Sequence, residues 1–164
     1  MDVVRTIDEI DLAILSLLQD NARITNADIA RQVEMAPSAV LERVRKLEDR
    51  GLIKGYFAQL DARALGFGLL AFVLVRTKNG SWGEETGSAL AEIPEVEEVH
   101  HIAGEDCFLV KVRAADTEAL GMLIRDTFQS IPAVQSTRTT VVLATVKETQ
   151  TIPLRIGSVG VGKR

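Results

Sequence analysis

From Ile7 to Leu18 the apolar positions Ile7, Ile10, Ala13, Ile14, Leu17 and Leu18 recur at helical spacing, and Asn21 supplies a stop. The stretch TNADIARQV then offers Thr25 as an N-cap with Asp28 three residues on, a capping box with Asp in place of Glu or Gln. Ile29, Ala30 and Val33 make its short apolar face. EMAP interrupts, and Pro37 sits where a first helical residue tolerates proline. Val40, Leu41, Val44 and Leu47 continue as a stripe towards Gly51, a suitable residue just past a helix end. The pattern predicts three helices, the last two joined by a tight turn as in a helix-turn-helix. LIKGYFAQLD then alternates and reads as a short strand, and Asp61 to Leu65 reads as a turn and linker before Gly66.

The rest of the chain changes period. LLAFVLVRT (69–77) is a continuous apolar run of strand length, and KNGSWGEE breaks it, with Trp82 either packed or exposed. Thr86 to Ile93 is helical in outline. VEEVHHI and FLVKVRA read as strands flanking the tight AGED. Thr117 to Ser130 is a helix with Leu120, Ile124, Thr127, Phe128 and Ile131 to one side, and VQSTRTTVVLATV is a long β-branched strand. EIPEVEEV and SIPAVQST echo one another, since Ile-Pro-x-Val ends a helix and opens a strand in both. Two such halves make βαββαβ, the split ferredoxin-like arrangement. The fold class is therefore α+β, an N-terminal (winged) helix-turn-helix followed by a βαββαβ ferredoxin-like sandwich. The expected domains are residues 1–62 with the linking strand, 63–150, and a Gly-rich C-terminal tail 151–164 that ends in GSVGVGKR. Such a sheet covers one face with helices. The other would carry Leu70, Phe72 and Leu74 or their neighbours, too apolar for water, which predicts a dimer through this domain.

Composition alters this outline little. At 46 % apolar residues the chain can bury a core, and aromatics at 4 % make that core aliphatic. No apolar run reaches the roughly 18–20 residues of a membrane span. MDVVRTIDEIDL lacks a signal peptide's layout, and one cysteine permits no internal disulfide, so a reducing cytoplasm is expected. The net charge of −4 argues against nucleic acid in bulk. Residues 38–55 nevertheless gather Arg43, Arg45, Lys46, Arg50 and Lys54 against Glu42, Glu48 and Asp49. Off the apolar stripe of the third helix lie Ser38, Ala39, Glu42, Arg43, Arg45 and Lys46. The first of these sit near the helix N-terminus, where a recognition helix meets base edges. Arg43 could reach a guanine edge bidentately, and Lys46 and Arg50 could reach phosphates. A plain helical bundle with a solvated charged face is the alternative.

HHIAGEDC (100–107) gathers both histidines, the one cysteine and two acids. Adjacent strand residues point to opposite faces, so His100 and His101 cannot both approach one metal. No His-x-x-x-His, Cys-x-x-Cys, phosphate-binding Gly loop or Ser/His/acid set occurs elsewhere. Neither a catalytic residue nor a resident metal or cofactor is expected, and the chain is not read as an enzyme.

The sequence resembles the Lrp/AsnC (feast/famine) transcription regulators from about Ile7 to Lys147. IDEIDLAILSLLQDNARITNADIARQV is similar to that family's opening helices, and PSAVLERVRKLEDRGLIKGY to its recognition helix and following strand. IAGEDCFLVKV and STRTTVVLATVK are similar to its effector-loop and last-strand motifs. The resemblance implies a regulator of bacterial or archaeal type that binds double-stranded DNA. It also implies dimers that assemble further, often to an octamer, and an amino-acid effector held between dimers.

By position, the resemblance maps the effector region onto His101, Ala103, Gly104, Glu105, Asp106 and Cys107, with Thr117, Thr137, Thr139, Thr140 and Val141 around it. Glu105 or Asp106 would accept from the ammonium, and the Gly104 turn amides and the threonine hydroxyls would bind the carboxylate. Without the resemblance these threonines read as β-formers only. Two positions depart from many relatives. Ala36 stands where a capping Ser precedes the recognition-helix proline, and Cys107 stands where an Asp is common. The second keeps open an architectural DNA-binding protein without an effector.

Overall fold

The computed structural model describes residues 7–78, 84–104 and 106–154. Three helices open the chain, α1 (Glu9–Asp20), α2 (Asn26–Gln32) and α3 (Pro37–Asp49). Asp8 caps α1 through a reciprocal box with Asp11, and Thr25 caps α2 by accepting the Asp28 N–H at 3.1 Å. The α2–α3 turn relies on Glu34, a non-glycine residue at φ 54°. The left-handed step lets the Met35 N–H reach back to the Ala30 carbonyl at 2.9 Å, a Schellman closure. Gly51 does the same after α3 at φ 68°, with the Leu52 N–H on the Leu47 carbonyl at 3.0 Å. Ile14, Ile29, Ala30, Val40, Val44 and Leu47 form the core of this unit. The predicted stripe supplied all of them except that Leu41 is 37 % exposed.

Residues 52–61 form no strand among the described residues, contrary to their alternation. A strand exists only through a ladder partner, and none of the described segments supplies one. Phe57 and Leu60 are exposed there, and the Asp61 carboxylate then accepts the Arg63 and Ala64 N–H groups to build the expected turn.

The second unit, Leu60–Glu148, is a four-stranded antiparallel sheet ordered β2-β3-β1-β4. Its strands are β1 (Leu69–Thr77), β2 (Val96–His101), β3 (Phe108–Ala114) and β4 (Val134–Val141). Helix α4 (Glu84–Ala91) precedes β2. Helix α5 (Thr117–Met122) runs into a π-helical turn, Leu123–Phe128, before β4. Ala71, Val73 and Val75 of β1 face the helices with Val110, Val112, Leu90, Leu120 and Phe128. β4 is shorter than its β-branched run suggests. Ala71 pairs with Val141, and β1 begins only two residues earlier, so the run after Val142, whose N–H bonds the Leu70 carbonyl at 2.9 Å, soon passes the end of its partner strand.

The opposite face is not uniformly apolar. Phe72, Leu74 and Leu109 share it with Lys111 and Arg113. A bulge between Val96 and Glu98 turns two successive acids of β2 onto Lys111, with Glu97 at 3.1 Å and Glu98 at 3.2 Å. Glu148 reaches the same cations, and its ion pair with Arg113 is 2.8 Å long. Burial lowers the pKa of Lys111, but hydrogen bonds to Glu148, Glu97 and Glu98 outweigh it and raise the net value. The face predicted to be bare is thus partly covered by the chain's own residues.

Two substitutions test this packing and capping. Phe128→Ala, which empties a fully buried site, should cost about 3–5 kcal/mol in denaturant unfolding. Ala36 occupies the α3 N-cap in extended geometry with no side-chain hydrogen bond, so Ala36→Ser should add about 1 kcal/mol, read as a higher unfolding midpoint.

Candidate functional site: a recognition helix and a turn at the sheet end

Buried Val40, Val44 and Leu47 orient α3. Ser38, Glu42, Arg45, Lys46 and Arg50 are exposed and Ala39 is half-buried, as the periodicity predicts. The cations are not equivalent. Lys46 lies 2.6 Å from Glu42 one turn away, and the ammonium's hydrogen bond holds the Glu42 carboxyl below its usual range. Both side chains are more than 60 % exposed, so water or a phosphate readily replaces that pair. Arg45 stands exposed on the other flank, beside a shallow groove that Leu18, Ile24, Leu41 and Tyr56 also line. Partial burial, and then the hydrogen bond to Glu48 at 2.9 Å, push the Tyr56 hydroxyl up to about 12.

Arg43, expected to be able to reach a guanine edge, is engaged within the protein. Its Nη1 donates to Asp8 Oδ2 and to Asp11 Oδ1, both at 2.7 Å, across to the start of α1. Hydrogen bonds to Asp8, then to Asp11, raise the Arg43 pKa against its desolvation. Burial pushes the Asp8 carboxyl up, but the Asp11 N–H and the Arg43 guanidinium outweigh it and hold it below the usual range. Asp8 was the available sequence signal, since a cap residue at one helix start with an acid three positions on faces whatever packs beside it.

In the second unit, register decides which candidates meet. His100 lies opposite Leu109 and bonds Glu98 at 2.9 Å, whereas His101 lies opposite Phe108 and packs edge-on against its ring. The two imidazoles therefore occupy opposite faces. Among the described residues no three His, Cys, Asp or Glu side chains gather to hold a metal. Ala103 and Gly104 are exposed in the turn, and Gly104 has φ 139°, a backbone region that favours glycine. Glu105 lies outside the described residues, as do Trp82 and the tail segment GSVGVGKR.

Asp106 is already engaged. Its Oδ2 accepts from Arg138 at 2.8 Å, and its Oδ1 lies 3.9 Å from the Arg76 Nε. Sequence reasoning missed both arginines, although alternation within STRTT sets Arg138 apart from Thr137 and Thr139. Cys107 is buried, with its Sγ 3.0 Å from Thr77 Oγ1. It packs into the core beside Phe108 rather than lining an open turn.

The remaining candidates separate. Thr137, Thr139 and Val141 lie opposite Val75, Val73 and Ala71 on the helix side, whereas Thr140 lies opposite Phe72 on the other side. Thr117 starts α5 just after Ala114, at the far end of β3 from the turn. A strand of that length spans roughly 20 Å. One protomer therefore brings Asp106 to Arg138 on the far side and the turn beside Thr137 at the start of β4, with Thr140 further along β4 and Thr117 at the other end of β3.

Comparison with known proteins agrees with both units. Residues 7–54 match a winged helix-turn-helix DNA-binding family, and residues 70–152 match the Lrp/AsnC ligand binding domain. The chain is 39 % identical to the HTH-type transcriptional regulator FL11 of Pyrococcus horikoshii, over 91 % of this chain and 97 % of that one. It is 35 % identical to the leucine-responsive regulatory protein of Escherichia coli, over 92 % and 93 %. Its fold superposes on a Neisseria meningitidis transcriptional regulator in complex with L-Met, with a TM-score of 0.83, 31 % identity and coverage of 91 % and 97 %. A feast or famine regulatory protein of M. tuberculosis complexed with L-methionine gives 0.82 at 32 % identity, covering 89 % and 98 %. With a DNA-binding helix-turn-helix and a ligand-binding sheet domain in this order, the chain belongs to the Lrp/AsnC family of DNA-binding transcription regulators, a family of regulators and not of enzymes.

Proposed function

We propose that this regulator reads double-stranded DNA with the outward face of α3 and adjusts its grip when an amino acid binds between copies of the sheet domain. The observation that carries the reading is the solvent-facing arc of α3, where Ser38, Ala39, Glu42, Arg45, Lys46 and Arg50 stand on a helix fixed by three buried valine and leucine side chains. Arg45, Lys46 and Arg50 supply the phosphate-facing charge, and the small Ser38 and Ala39 at the N-terminus admit a base edge.

The effector reading draws on the relatives, two of which are held with L-methionine and one of which is named leucine-responsive. In this chain the exposed turn at Ala103 and Gly104, His101, Asp106, Thr137 and Thr139 supply one side of such a site. Thr117, at the far end of β3, would then come from a neighbouring copy, as would Thr140 and Val141, which lie further along β4 from the turn. Copies pair through Phe72, Leu74 and Leu109 and assemble further, to an octamer at the largest, in the cytoplasm. The expected division at residues 1–62 and 63–150 serves this reading, with a sensor following a reader.

One observation favours a second reading, a DNA-binding architectural protein without an effector. Asp106 is already paired with Arg138, and Cys107 is turned into the core, so the described residues of the turn offer an ammonium few unengaged acceptors.

Two measurements separate the readings. The double variant Arg45→Ala/Lys46→Ala should lower the slope of log affinity against log salt by about 2, near one unit per lost phosphate contact. An unchanged slope would place DNA elsewhere. In a melting screen against the amino acids, a native-state ligand at a hundredfold excess over its Kd should stabilise the fold by about 2.7 kcal/mol. No shift with any of them favours the second reading.

A further inference from the structure

We infer that Arg43 is a positioning residue for DNA recognition, which sets how α3 presents its reading face through Asp8 and Asp11 without touching DNA itself. The inference rests on α3 being the reading helix. Arg43 has buried Val40 three residues before it and buried Leu47 four residues after it. It also has Ala39 four residues before it and Lys46 three after, so it sits at the edge of the outward arc, where α3 meets the start of α1. There its guanidinium closes a small network. Asp8 Oδ1 accepts the Asp11 N–H at 2.7 Å, Asp11 Oδ2 faces the Asp8 N–H at 3.4 Å, and the free oxygen of each carboxylate receives Arg43 Nη1 at 2.7 Å.

The energetic argument is about what is left behind. The Asp11 side chain is only 11 % exposed. Swinging Arg43 out to a phosphate would strand that carboxylate without a cation, and an unpaired, largely buried charge is more costly than one new exposed ion pair is favourable. It would also uncover two acids beside the reading helix, where they repel the DNA backbone. Arg43 in place offsets one of their two charges and joins the N-terminal turn of α1 to the middle of α3. By contrast the Lys46–Glu42 pair is exposed on both sides and costs little to open.

The test is DNA affinity measured across a salt series for the full chain and for Arg43→Gln, Asp11→Asn, their combination, and Arg43→Lys, with helix content followed by circular dichroism. A positioning role predicts that Arg43→Gln and Asp11→Asn each weaken binding about tenfold and that the pair together does little more than either. It also predicts a salt slope that stays at the parent value, because no phosphate contact is lost. Arg43→Lys, which keeps a cation between the carboxylates, should recover most of the affinity. A slope that falls by about 1 in Arg43→Gln, or an Asp11→Asn protein that binds as well as the parent or better, would overturn the inference, since Arg43 would then be a DNA contact. Should Asp11→Asn lose its helical signal, the slopes of Arg43→Gln and Arg43→Lys decide alone. Arg45→Ala/Lys46→Ala separates the two premises. If that variant binds with unchanged slope the reading helix is wrong, whereas if it loses slope and Arg43→Gln does not, the positioning role stands.

Discussion

The pairing of β1 with β3 on one side and β4 on the other governs the second unit. Side chains alternate along a strand, so this one register commits every neighbouring position to a face. It sends Ala71, Val73 and Val75 into the aliphatic core with Phe128 and leaves Phe72 and Leu74 on the far side. It carries through β3 to split His100 from His101, and through β4 to split Thr140 from Thr137 and Thr139. It also brings the turn before β3 beside the start of β4, because Phe108 and Thr137 both align on Val75. The Asp106–Arg138 contact follows from that alignment.

In the first unit the comparable constraint is the closure of helix ends. Asp8, Thr25, Glu34 and Gly51 each satisfy backbone groups that a short helix leaves open. Short helices have little stability of their own, so capping and the small core of Ile14, Ile29, Val40 and Leu47 must act together. α3 is thereby held rigidly, and its charges divide by their surroundings. Lys46 and Arg45 lie in water, while Arg43 is paired with two carboxylates at the start of α1.

The elements most legible in the sequence are those whose partners are nearby or whose pattern is one-sided. LLAFVLVRT and FLVKVRA became strands at the expected bounds, because continuous or alternating β-branched runs admit few other solutions. Thr25, Pro37 and Gly51 marked ends through local backbone chemistry. What stayed hidden depends on distant pairing. Residues 52–61 alternate like a strand yet find no ladder, and the run after Val141 outlasts the strand it would pair with. The candidate effector set was contiguous in two motifs, but register and the length of β3 disperse it. Arg43, Arg76 and Arg138 took their meaning from carboxylates 30 or more residues away, which no local pattern reveals.

The Cys107–Thr77 contact gives this chain a built-in reporter. The thiol is the protein's only one, and it is enclosed between the end of β1 and the start of β3, where its own N–H bonds the Val75 carbonyl at 2.9 Å. Because the side chain is largely buried, an alkylating reagent reaches it more readily when that end of the sheet parts. The rate at which the native protein takes up such a reagent therefore measures the opening of the sheet beside the Ala103–Gly104 turn. Any molecule that braces the turn will slow the labelling, whether or not it alters the overall melting of the domain.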